Sequence, residues 1–159
     1  MRYYMKQKIS FFQDFTIKDD NDQDVFKVKQ KRLSIGRSFD VEDVETGNDL
    51  IEVKQKMLSF MPTMQIYLDG DHVASVSKKV TVFKSKYKVD ELGWTVKGDI
   101  WSHNYTIEDE DGNVVADINK KFFAWTDTFE FDINAEAANP ALVIGVILAI
   151  DFVMDMEED

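Results

Sequence analysis

Apolar and polar residues alternate along most of this chain, and one phrase of that alternation returns four times. It opens on a short strand: Phe15-Thr-Ile17-Lys-Asp19, Phe39-Asp-Val41-Glu-Asp43, Met64-Gln-Ile66-Tyr-Leu-Asp69 and Tyr105-Thr-Ile107-Glu-Asp109. Each opener closes on Asp. The segments that follow, Asp20-Asn-Asp-Gln-Asp24, Thr46-Gly-Asn-Asp49, Gly70-Asp71 and Glu110-Asp-Gly-Asn113, hold residues that tolerate left-handed backbone or hydrogen-bond their own amides. Return strands carry Val28-x-x-Lys31, Val53-x-x-Lys56, Val76-x-x-Lys79 and Ile118-x-x-Lys121, then a second apolar burst at Leu33-Ser-Ile35, Leu58-Ser-Phe60, Val80-Thr-Val82 and Phe122-Phe-Ala-Trp125. A period of two gives each strand one dry and one wet face and predicts antiparallel hairpins. The Val/Ile anchors stand 25, 23 and 42 residues apart, so the last gap holds one degenerate copy, filled by Tyr87-Lys-Val89-Asp and Trp94-Thr-Val96-Lys-Gly98. The expectation is an all-β meander of about 12 short strands.

The pattern then changes. Ala141 to Met154 is helix-like and apolar on every side, broken only by Asp151. Such a helix must be wrapped completely. From Pro140 to Met154 it spans about 22 Å against roughly 30 Å of bilayer hydrocarbon, so the wrapper is expected to be the protein's own sheet, with no transmembrane span. Asn139 suits the N-cap and Pro140 the first helical position. Ala141, Gly145 and Ala149 recur every fourth residue, a narrow stripe that allows close approach to a strand backbone. The helix is expected over about 139–154 and an acidic tail over 155–159, where Asp155, Glu157, Glu158 and Asp159 oppose the helix dipole and require screening by solvent.

Composition narrows the classes. At 159 residues and 44% hydrophobic, the chain fits one domain, 1–159, with ample core. Cysteine is absent, which removes disulfides, thiolate catalysis and zinc–thiolate sites. The start lacks the uninterrupted apolar segment of a signal peptide, and a cytoplasmic protein is the default expectation. The net charge of −11 argues against general nucleic-acid binding. Residues 1–88 hold 16 bases and 13 acids, whereas residues 89–159 hold 3 bases and 17 acids. That asymmetry can orient the molecule against an anionic surface through its first half, or simply describe a solvated exterior.

Catalytic machinery is not visible. His72 and His103 both read as turn or strand-start residues, and no hydrolase, zincin, phosphate-loop or dinucleotide motif occurs. Asp20-Asn-Asp22-Gln-Asp24 resembles a calcium loop, but an EF-hand needs Gly sixth and Glu twelfth, where Val25 and Lys31 stand. Asp109-Glu-Asp111-Gly-Asn113 fails likewise, with Val114 sixth. No metal or cofactor is expected. Lysines alternate at Lys27, Lys29 and Lys31, at Lys54 and Lys56, and at Lys84, Lys86 and Lys88. Period two points each set outward, where together they would form a cationic patch for anionic headgroups, or guard a barrel exterior from aggregation. Most of the aromatics, including Phe60, Trp94, Trp101, Phe129 and Phe131, are expected to line the barrel, with one ring of Phe11-Phe12 and of Phe122-Phe123 outside.

The repeated Gly/Asn-x-x-Val-x-x-Val/Ile-x-x-Lys phrase followed by a wholly apolar helix resembles the LURP-one-related family of the tubby C-terminal-like superfamily, in its small bacterial-type members. The likeness covers nearly the whole chain and is most telling at Glu52–Phe60, Trp94–Asp99, Tyr105–Asp109, Gly112–Lys121 and 141–154. It implies a mainly β fold: a closed antiparallel barrel of about 12 strands enclosing the C-terminal helix. Relatives in the superfamily include phosphoinositide-binding tubby domains and phospholipid scramblases. No headgroup-binding motif matches residue by residue, so no site residue is carried over. The functional expectation is a non-catalytic protein docking on an anionic phospholipid surface, peripheral at the membrane. Its alternatives are a lipid-translocating protein or enzyme with carboxylates at a barrel mouth, and a protein–protein adaptor.

Overall fold

A computed structural model of the chain describes residues 1–6, 13–32, 36–80, 85–123 and 126–157. Its elements in chain order are β1 (Arg2–Met5), β2 (Phe15–Lys18), β3 (Asp24–Arg32), β4 (Arg37–Asp43), β5 (Asp49–Gln55), β6 (Thr63–Leu68), β7 (Asp71–Val80), β8 (Ser85–Asp90), β9 (Trp94–Asp99), β10 (Asn104–Glu108), β11 (Val114–Phe123), β12 (Thr126–Ile133) and α1 (Pro140–Glu157). Each strand bonds its sequence neighbours antiparallel, and β1 joins β12, so the sheet closes into a barrel and leaves no edge. The Leu33-Ser-Ile35 burst, Phe11, Phe12 and Trp125 lie outside the described residues.

The repeat is legible in this barrel. Val28, Val53, Val76 and Ile118 all point inward and are buried. Val28 stands between Phe15 and Val41, Val53 between Phe39 and Ile66, Val76 between Met64 and Val89, and Ile118 between Tyr105 and Phe131. Each of the four hairpins also shifts register at the same place, past Ile17, Val41, Ile66 and Ile107. The extra residue on the return strand is Val25, Leu50, Val73 or Val115, and all four pack on the core. A bulge bends its strand and raises the local twist, as closing the sheet requires.

The closing Asp of the openers has a shared cause. Asp19 Oδ1 accepts from the amides of Asn21 and Gln23, Asp109 Oδ1 from those of Asp111 and Asn113, and Asp43 Oδ1 from that of Glu45. Asp69 works differently. It occupies left-handed backbone itself (φ 51°) beside Gly70 (φ 85°), which makes the two-residue turn that matches strand twist.

The helix fills the barrel. Asn139 Oδ1 accepts from the amide of Ala141 at 2.9 Å, capping the first turn as expected. Every residue from Ala141 to Met154 is buried except Asp151, which is half-buried. Phe152 stacks on Phe39 with ring centroids 4.8 Å apart. A Cβ added at Gly145 would stand 3.0 Å from Ile51 Cγ2, so the small residue is required by side chains of β5 and β6 rather than by strand backbone. The helix runs to Glu157, three residues past the expected end. Among the described residues, no helix is long and apolar enough to cross a membrane.

Candidate functional site

The outer wall over β3, β4 and β5 holds the first lysines singled out above. Lys27, Lys29 and Lys31 alternate with inward Phe26 and Val28, and Lys54 lies beyond inward Val53, so these four share the outer face. Acids interleave with them. Lys29 Nζ holds Asp49 at 2.8 Å and Glu42 at 3.3 Å. Lys31 Nζ bridges Asp40 at 3.0 Å and Glu52, which are directly opposite each other across β4 and β5 and would otherwise repel. Lys54 Nζ pairs with Glu52 at 3.2 Å and lies 5.3 Å from the centre of the Tyr67 ring. Lys27 is exposed, and Lys56 is exposed just beyond the end of β5. Lys86 and Lys88 are on β8, several strands around the barrel from β3, so the seven lysines of the set among the described residues do not share one stretch of wall. Lys84 lies outside the described residues.

Burial and these pairs set the local titration. Burial raises the pKa of Asp40 against the pull of Lys31. At Glu52 burial also works upward, but hydrogen bonds from Lys31 and Lys54 outweigh it and the pKa falls. Burial works to lower Lys31, and its bonds to Glu52 and Asp40 prevail and raise it. The wall is therefore a cross-braced lattice with little net charge.

Charge separates along the barrel axis instead. In an antiparallel meander every second turn falls at the same end, so the tips at 19–24, 43–49, 69–71, 91–93 and 109–113 gather where α1 begins. They bring Asp19, Asp20, Asp22, Asp43, Glu45, Asp69, Glu91, Asp109, Glu110 and Asp111 to one rim. The opposite rim, where α1 finishes, has Lys31, Arg37, Lys54, Lys56, Lys120 and Lys121 at or near its strand ends, with Lys31, Arg37 and Lys54 already paired to acids and with Asp14, Asp99 and Asp155 at the same end. Both rims complement the buried helix dipole, acids at its positive end and bases at its negative end. The helix itself has no acid in its first turn and no base in its last. Sequence reasoning divided the charge between chain halves; the turns divide it between barrel ends.

The acidic rim contains a depression of about 470 Å³ between Arg2, Tyr3, Asp20, Asp24, Asp43 and Glu45. Three of its carboxylates have structural partners: Asp43 closes a turn, Asp20 accepts from the Tyr4 hydroxyl at 2.9 Å, and Asp24 pairs with Lys18 at 2.6 Å. Asp22 of the calcium-like segment pairs with Lys6 at 2.9 Å. The two histidines differ. His72 contacts Ser75 at 2.9 Å and Glu91 at 3.3 Å near the acidic rim. His103, in its turn as expected, also reaches inward to Asp151. At the basic rim the expectation for aromatics is corrected: Phe60 is fully exposed and Trp101 about half exposed, because both lie in turns outside the barrel wall, whereas Phe129 and Phe131 are inside. Solvent is not the sole counterweight to the acidic helix end either, since Arg37 Nη1 holds Asp155 Oδ2 at 3.0 Å. The pair is 118 residues apart, beyond any local signal.

The comparisons agree with this architecture. A family model described as LURP-one-related matches residues 1–151. The uncharacterized protein YxjI of Bacillus subtilis (strain 168) is 32% identical over 157 residues, covering 98% of this chain and 95% of that one. An X-ray structure of a protein from Arabidopsis thaliana superposes with a TM-score of 0.61 at 16% identity, covering 94% of this chain and 91% of that chain, and shares its fold.

Proposed function

We propose, from the premise that the chain belongs to the LURP-one-related family, that this protein is a non-catalytic binding module docking on anionic phospholipid surfaces by the barrel end where α1 finishes. The observation that carries the reading is the axial separation of charge, acidic tips at one rim and lysines with Arg37 at the other. A molecule so polarised turns its basic end to a negative surface, where each nearby lysine contributes roughly 1 kcal/mol before screening. The superfamily's phospholipid-binding members support the same chemistry. The protein is then peripheral, held on the cytoplasmic face by an end rather than by a span.

Co-sedimentation tests it. Vesicles of phosphatidylserine and phosphatidylcholine should retain the protein at low salt and release it at high salt, while phosphatidylcholine alone should not retain it. Equal retention by both, or by neither, rejects the reading. The depression on the acidic rim favours one other role, lipid translocation. That role predicts leaflet exchange of a fluorescent phospholipid that D20N/E45Q abolishes. Retention of a protein partner after detergent has removed lipid is the outcome that favours an adaptor.

A further inference from the structure

The loop between β5 and β6 departs from the rest of the surface. Residues 56–62 read Lys-Met-Leu-Ser-Phe-Met-Pro, and the side chains of Leu58 and Phe60 are 104% and 100% exposed. Large apolar side chains displayed together on one loop are unusual at a protein surface and mark interaction sites. Hydrogen bonds order this loop. The Lys56 amide donates to the Thr63 carbonyl at 2.9 Å, and the hydroxyls of Ser59 and Thr63 both donate to the Met61 carbonyl, at 2.7 and 2.9 Å. Leu58 is held in left-handed backbone (φ 59°), a conformation that disfavours a branched side chain and here turns it outward. Together with Met156 of α1 the loop lines an open depression of about 450 Å³.

The surroundings select a partner. No acid occurs between Glu52 and Asp69, although the chain holds 30, and Lys54 and Lys56 flank the loop. Trp101, half exposed in the β9–β10 turn, faces outward from the same rim. The hydrocarbon edge of a bilayer takes any shape, and aromatic and basic residues favour that interface.

We infer that the 56–62 loop inserts into the interface of an anionic bilayer, with Leu58 and Phe60 as apolar anchors and Lys54 and Lys56 beside them at the headgroups; this rests on the docking reading above.

The absence of cysteine allows the test to be made on the full chain. Phe60→Cys carries one environment-sensitive fluorophore, and Asp71→Cys carries the same label at the far rim. With phosphatidylserine–phosphatidylcholine vesicles, emission from position 60 should shift to the blue and that from position 71 should not. L58D/F60D, and the milder L58S/F60S, should weaken vesicle binding about tenfold or more while leaving the thermal midpoint unchanged. If the unaltered protein binds these vesicles but neither variant weakens binding and position 60 stays wet, insertion is overturned while docking stands. If the unaltered protein binds no anionic vesicle, both fall. Loss of self-association in the variants, with lipid binding retained, assigns the loop to a second copy of this chain and also overturns insertion.

Discussion

His103 Nε2 lies 2.8 Å from Asp151 Oδ1, so the one ionisable residue within the helix's buried run is met by an imidazole from the β9–β10 turn. The Asp that breaks the apolar run is thus a fastening point, close to the second tie between Arg37 and Asp155. His103 reaches it from left-handed backbone (φ 58°), with its ring edge-on to Phe129 at 5.0 Å.

Breaking this contact should loosen the helix's last turns. Asp151→Ala leaves the His103 ring half-buried without its acceptor and should cost about 1–3 kcal/mol in urea unfolding at pH 7. A double-mutant cycle with His103→Ala should return a coupling of about 0.5–3 kcal/mol. Strictly additive single effects would show that the two groups act apart.

Local physics made most of the fold legible, and long-range pairing accounts for what was not. The inward Val28, Val53, Val76 and Ile118 follow from period two, and the turn-closing Asp19, Asp43 and Asp109 from a carboxylate within reach of its own amides. Alternation cannot show register, so the four bulges were hidden. Nor can it show which acid stands beside which lysine. Lys29 and Lys31 looked like members of a patch because Glu42, Asp40 and Glu52 approach them only once β3, β4 and β5 pair. Phe60 was assigned to the wall because apolar character within a turn carries no sign of direction.

Gly145 tests the enclosed helix. Gly145→Ala trades about 1 kcal/mol of helix propensity gained against a methyl 3.0 Å from Ile51, so its net effect should be small. Gly145→Leu drives a branched side chain into Ile51, Val53 and Ile66 and should cost about 3 kcal/mol or more. Thermal unfolding checks both. Indifference to Leu would mean that this helix face is open.

Asp40 and Glu52 should respond to acid in opposite directions. Burial raises Asp40's pKa in the folded protein, so its contribution is complete below the unfolded value near about pH 4 and is lost as pH rises through the folded value. Glu52's pKa is lowered by its lysine bonds despite burial, so its contribution is complete above its unfolded value and lost as pH falls through the folded one. The stability of D40N relative to the unaltered protein should therefore rise with pH across the acid range, and that of E52Q should fall. A D40N slope that falls with pH like that of E52Q would show that Lys31, and not burial, governs Asp40.

Distance along the axis should decide which acids oppose docking. Glu157 ends α1 at the basic end and Glu158 and Asp159 come next in the sequence, whereas Glu110 and Asp111 belong to a tip at the other. Strands of eight to ten residues, such as β7, β11 and β12, rise about 25–30 Å at ~3.3 Å per residue, well beyond a Debye length of roughly 10 Å at 0.1 M salt. Charges at the far rim are therefore screened from a membrane touching the near one. Replacing Glu157, Glu158 and Asp159 with Gln, Gln and Asn should tighten binding to phosphatidylserine vesicles about three- to tenfold at 0.1 M salt. E110Q/D111N removes charge of the same sign but should change affinity less than about twofold. Equal gains per charge from the two ends would mean that net charge alone governs the encounter, and that the protein does not approach lipid end-on.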